Sequence, residues 1–87
     1  MNKLNWKIIE SNIAEAKEEL ENIEKQIQSS KKPNMAEFQI SLQHAYHHLN
    51  FAWNVKYKNT KEYKEMTNKD FKKFGKYPKD IEKFDIE

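Results

Sequence analysis

The stretch WKIIESNIAEAKEELENIEKQI, Trp6 to Ile27, places apolar residues at Trp6, Ile9, Ile13, Ala16, Leu20, Ile23 and Ile27. Their spacing alternates three and four, the period of a heptad seam on an α-helix. Between them lie Glu15, Lys17, Glu18, Glu19, Glu21, Glu24 and Lys25, good helix formers suited to a solvated face. The spacing therefore predicts a first helix over about 5–28. Asn5 or Asn2 is placed to cap its amino end, because an asparagine oxygen accepts from the unpaired amides of a first turn.

Downstream, Gln28 to Pro33 breaks the pattern, and Pro33 disfavours a helical residue before it. Asn34 followed by Glu37 has the spacing of a capping box, with Pro33 and Phe38 in staple positions. A second helix is expected over about 34–58. So short a connection makes the two helices antiparallel neighbours. On the second helix Phe38, Leu42, Ala45, Leu49, Ala52 and Trp53 share one face, which is expected to answer the heptad seam. Ile40, His44, His47, Phe51 and Val55 form a second apolar arc nearly opposite. One helix cannot cover both arcs, so the second arc is expected to meet either the chain's own tail or a second subunit.

Residues 59–87 differ in kind, with aromatic residues set among lysines. Asn59 and Thr60 are read as the end of the second helix. Thr67 and Asp70 have the spacing of a cap for a short helix through Phe74, and Gly75 is expected to close it in the left-handed conformation. Tyr77-Pro78 marks a turn, and one further weak turn of helix is expected over Asp80 to Ile86. No strand pattern or long-period repeat occurs. The expected fold is all-α: one domain over 1–87, an antiparallel two-helix hairpin with a short helical C-terminal segment, assembling as a dimer into a four-helix bundle.

Composition narrows the function classes. With 37% apolar and 34% charged residues in 87, the chain suits a thin helical hairpin rather than a thick core. It has no cysteine, so disulfides, thiolate metal sites and cysteine nucleophiles are excluded. The amino terminus lacks the features of a secretory signal, and no apolar run reaches bilayer length. A cytoplasmic protein without membrane attachment is expected. Catalysis has little support: Gly75 is the only glycine, so no phosphate loop exists, and Ser41 near His44 lacks a nucleophile elbow. The chain is read as a non-enzyme needing no cofactor.

Two patterns offer binding alternatives. His44 and His48, four apart, share a helix face, and Glu37 lies two turns earlier at a similar azimuth, so Glu37, His44 and His48 are candidate metal ligands. Neither a HExxH pair nor a repeated ExxH motif accompanies them. Charge is polarised: residues 10–24 carry six acids and one lysine, whereas residues 56–79 carry nine lysines and three acids. Lys56, Lys58, Lys72, Lys73 and Lys76, interleaved with aromatics, are candidate contacts for nucleic acid. The absence of arginine and a net charge of only +2 weigh against that partner. The alternative is that the basic segment folds back along the acidic face of the first helix, of its own chain or of a partner.

The stretches HAYHHLNFAWN (44–54) and FGKYPKDIE (74–82) resemble a group of small bacterial helical proteins without an assigned activity. The resemblance covers the second helix and the tail, about half the chain, and implies an all-helical fold but no activity, cofactor or site. The leading expectation is a small structural or protein-interaction protein that forms a homodimer, with the metal-binding and nucleic-acid readings as alternatives.

Overall fold

A computed structural model describes residues 3–81. Four helices follow in order: α1 (Trp6–Gln28), α2 (Met35–Asn54), α3 (Thr60–Lys64) and α4 (Asn68–Phe74). No strand occurs among the described residues. The long pair α1 and α2 packs as an antiparallel hairpin, and α4 lies against α2. No helix among these residues is long and apolar enough to cross a membrane. The helical turn expected near Asp80 to Ile86 falls mostly outside the described residues, as do Phe84 and Asn2.

Side-chain caps set the helix starts. Asn5 accepts from the Ile8 amide at the start of α1, and Asn34 with Glu37 forms the expected reciprocal capping box at α2. Thr67 with Asp70 does the same for α4. There the Thr67 amide, donating to the Asp70 carboxylate, holds that carboxyl below its ordinary range. A third box, Asn59 with Glu62, opens α3, the helix not anticipated from sequence. Each cap contributes about 1 kcal/mol by satisfying amides that the helix cannot pair internally.

Helix α2 ends at Asn54, four residues short of expectation, because the chain beyond it is used otherwise. The Asn5 amide donates to the Lys56 carbonyl at 2.7 Å, and Asn5 Nδ2 to the Lys58 carbonyl at 2.9 Å. One asparagine thus caps α1 and ties its start to the segment leaving α2. This clamp aims α3 and α4 back across the C-terminal half of α2.

The core forms where those elements meet. Ile8, Phe51 and Val55 are buried together, with Tyr63, Met66 and Phe74 packed against them. Phe71 adds an aromatic contact to Phe51 at 5.5 Å between ring centroids. The tail therefore covers Phe51 and Val55 from within the chain. It crosses α2 rather than running along the acidic face of α1, since Asn50 and Asn54 donate to the carbonyls of Gly75, Phe74 and Lys76.

Gly75 corrects a second expectation. It ends α4 with φ −78° and ψ −5°, a right-handed conformation open to any residue. Its lack of a side chain matters for space: a Cβ there would sit 2.7 Å from His47 Nδ1 and 3.0 Å from the Phe71 carbonyl oxygen. The glycine admits α4 close against α2.

The heptad seam of α1 divides. Ala16 and Ile23 are buried against α2, together with Ile8 and Asn12 from outside the seam. Trp6, Ile13, Leu20 and Ile27, spaced seven apart, remain 67%, 49%, 44% and 47% exposed. On α2 the stripe expected to face α1 is buried only at Ala45; Leu49 and Phe38 are exposed, while Leu42, Ala52 and Trp53 are half-buried. The expected pairing of the two stripes is thus rotated. Asn12 and Glu19 take inward positions on α1, and one row of the seam turns to a face left exposed among the described residues.

Candidate functional site

Among the described residues the one buried polar side chain is Asn12, 2% exposed among apolar neighbours. It can occupy that position because each of its polar atoms is matched. Nδ2 donates to the Ile8 carbonyl at 3.0 Å and to the Tyr63 hydroxyl oxygen at 3.3 Å, while Oδ1 lies 2.9 Å from His48 Nδ1. The Ile8 carbonyl only accepts, so it fixes the amide with nitrogen towards Ile8 and oxygen towards His48. His48 must then carry its proton on Nδ1.

From His48 the chain of contacts runs outward. His48 Nε2 lies 3.2 Å from His44 Nε2, and His44 Nδ1 lies 2.9 Å from Glu19 Oε2. A carboxylate accepts, so His44 also carries its proton on Nδ1. Tyr63, Asn12, His48, His44 and Glu19 thus form one continuous polar line, from α3 through the α1–α2 groove to the surface. The hydrogen bond with His44 holds the Glu19 carboxyl below its ordinary range; burial opposes this, and the Ser41 hydroxyl adds to the lowering.

Burial pushes His48 below the ordinary imidazole value, and His44 and His47 add to that shift; Glu15 and Glu19 oppose it. His47 is lowered as well, by burial first and then by His44. Its ring packs on Phe51 with centroids 4.4 Å apart and lies under Gly75. The three histidines consequently do different jobs: His47 is a packing residue, and His44 and His48 are members of the polar line.

The second arc proposed from sequence separates along its length. Phe51 and Val55 are in the core, His47 is half-buried beneath α4, and His44 and Ile40 are exposed. Of the metal-ligand candidates, His44 and His48 come together, but Glu37 does not join them. Its carboxylate accepts from the Asn34 amide at 3.0 Å and is committed to the cap of α2. No group of three or more histidine or acidic side chains placed to hold a metal occurs among the described residues.

The lysines separate too. Lys72, Lys73 and Lys76, with Lys69 and Lys79, border a cleft of about 580 Å³ walled by Phe74 and Tyr77. Lys56 instead lies 4.0 Å over the Trp53 ring and 3.9 Å from Asp80, whose carboxylate also accepts from the Trp53 indole. Lys58 sits over Phe74. Those two side chains are engaged in holding the tail to α2.

The sequence does not mark Asn12 or Glu19 as site residues, and it offers Tyr63 only as a base-stacking aromatic among the lysines of the nucleic-acid alternative. Asn12 and Glu19 fall outside the heptad seam; the signal for Asn12 is the four-residue ladder from Ile8 through Asn12 to Ala16, which places one amide within an apolar row. Tyr63 comes from the unanticipated α3. No family model, curated protein or solved structure matches this chain.

Proposed function

We propose that this chain is a small structural and protein-interaction module that acts as a homodimer, two hairpins closing into a four-helix bundle through the apolar face exposed among the described residues. The observation that carries this reading is the exposed row Trp6, Ile13, Leu20 and Ile27. The a and d positions of a heptad form one seam that packs against a partner, and of that seam Ala16 and Ile23 are buried while Trp6, Ile13, Leu20 and Ile27 are left exposed. Leu49 and Phe38 extend the face on α2, and shallow apolar depressions of about 380 and 360 Å³ lie along it beside Leu20, Leu49 and Trp6.

Exposure and charge both favour a second copy as the occupant. Trp6, Ile13, Leu20, Ile27, Phe38 and Leu49 are each 38–67% exposed, and large apolar side chains gathered on one face, rather than scattered singly, mark an interaction surface. From Phe38 to Val55 the sequence holds no Asp, Glu, Lys or Arg, although a helix facing water on that side would carry them. In a two-fold pairing with α1 laid on the partner's α2, the mixed charges of α1, such as the Lys17–Glu21 pair, meet an uncharged helix instead of like charges.

The test is solution mass across micromolar concentrations, by sedimentation equilibrium, for the native chain and for a Leu20→Glu variant. A dimer abolished by the substitution supports the reading; a monomeric native chain removes it.

A further inference from the structure

Two imidazoles one helical turn apart on α2 present their Nε2 atoms to each other at 3.2 Å. The partners on the far side of each ring decide what that approach means. His44 gives its Nδ1 proton to Glu19, and His48 gives its own to the buried, oriented amide oxygen of Asn12. Both Nε2 atoms are therefore bare in the neutral rings. Two lone pairs held at this distance repel unless a positive centre lies between them.

We propose that His44 Nε2 and His48 Nε2 bind one divalent first-row transition metal ion as a two-imidazole chelate, with Glu19 and Asn12 as its outer partners. Metal–imidazole bonds of about 2.0–2.1 Å place two ligand nitrogens roughly 2.9 Å apart at a right angle and roughly 3.4 Å apart at a tetrahedral angle. The 3.2 Å separation falls within that span.

The supporting residues also match what such sites need. Metal-bound histidines characteristically donate their second ring proton to a carboxylate or amide oxygen, which fixes tautomer and orientation and raises ligand basicity. Glu19 supplies that group for one ring and Asn12 for the other, and the Asn12 amide is itself anchored by Ile8 and Tyr63. His44 is about half exposed, so the ion can reach the pair from solvent. With two protein ligands, the remaining coordination positions are open to water or to an external donor. Imidazole donors favour Cu²⁺, Ni²⁺ and Zn²⁺ over Mg²⁺ or Ca²⁺. None of these four side chains belongs to the exposed apolar face, so the site stands or falls independently of dimer formation.

The experiment is a calorimetric titration of the full chain, purified without a histidine tag, with Zn²⁺ alone. Imidazole nitrogen NMR is recorded before and after metal addition. One Zn²⁺ per chain is expected, with the Nε2 signals of His44 and His48 shifting and those of His47 unmoved. His44→Ala and His48→Ala should each weaken binding at least tenfold. Glu19→Gln, a positioning change that leaves both ligands in place, should weaken it about 10- to 100-fold. Circular dichroism of each variant distinguishes lost binding from lost folding. Three results overturn the proposal: no Zn²⁺ uptake at millimolar metal, equal uptake by the folded His44→Ala/His48→Ala double variant, or a proton shared between the two Nε2 atoms that Zn²⁺ does not displace.

Discussion

Asn12 Oδ1 accepts a hydrogen bond from His48 Nδ1 at 2.9 Å, joining the buried middle of α1 to the histidine pair of α2. Because the same amide also donates to Ile8 and Tyr63, it links three helices through one side chain. Replacing it with leucine preserves bulk but leaves the His48 ring N–H and the Tyr63 hydroxyl unmatched. Asn12→Leu is expected to lower unfolding free energy by about 1–3 kcal/mol. Urea denaturation checks this, and a gain in stability would mean that the amide is only a space-filler. Tyr63→Phe should cost about 0.5–1.5 kcal/mol alone and little more in the Asn12→Leu background, because the two share a bond.

Gly75 provides a test in which two effects have opposite sign. Its backbone is in a region any residue adopts, so alanine would ordinarily stabilise by about 0.4–1 kcal/mol through the unfolded chain. Here the added Cβ would meet His47 Nδ1, whose ring is held against Phe51, and the Phe71 carbonyl. The steric effect is expected to win, so that Gly75→Ala destabilises by about 1–3 kcal/mol in thermal or chemical melts. In a His47→Ala background the same substitution should lose most of its cost.

Phe51 is the centre of the contact between the hairpin and the tail, touching His47, Tyr63 and Phe71. Phe51→Ala should cost about 3–5 kcal/mol, a large share of the stability of so small a domain. Amide hydrogen exchange should show protection lost first in α3, whose Tyr63 packs on Phe51, and in α4, whose end is tied to α2 by the carbonyls of Phe74, Gly75 and Lys76. Retention of tail protection in this variant would show that the core lies elsewhere.

Acid should weaken the metal-free protein before the carboxylates titrate. His48, facing His44, His47, Glu15 and Glu19, and His47, facing His44, both have imidazole values lowered in the fold. The unfolded chain titrates near about 6.5, so between the folded and unfolded values it holds more protons than the native state. Stability then rises with pH through that window: it is complete above about 6.5 and is lost as pH falls towards the folded values. With chelator present, the urea midpoint should be lower at pH ~5.5 than at pH ~7.5. His47→Gln and His48→Gln should each flatten the difference; an unchanged or higher midpoint in acid would contradict the assignment.

Periodicity and cap chemistry carried the helices but not their rotation. Asn34 with Glu37 and Thr67 with Asp70 announce their helix starts because a capping box is a local, three-residue event. Asn59 with Glu62 has the same form but reads as a helix end, since five residues give no apolar period to confirm a helix. Which side of α1 is buried is not local. The Asn5 clamp and the tail favour the side bearing Ile8 and Asn12, and this displaces Trp6, Ile13 and Leu20 outward although they score as the better seam. The histidine pair was visible as an i, i+4 spacing. Its outer partners were not, because Glu19 and Asn12 reach it across a helix–helix groove whose register only packing defines.

Interface substitutions should leave the hairpin intact while separating its copies. Ile13→Glu and Leu20→Glu lie on the exposed row, so neither vacates the core; each is expected to weaken self-association by about 2 kcal/mol or more, roughly thirtyfold, with unchanged helicity. The most direct measurement is sedimentation equilibrium of the native chain at micromolar concentrations. The self-association account expects twice the chain mass of 10.6 kDa, returning to the single-chain value in Leu20→Glu. A native chain that stays at 10.6 kDa across micromolar concentrations would contradict it.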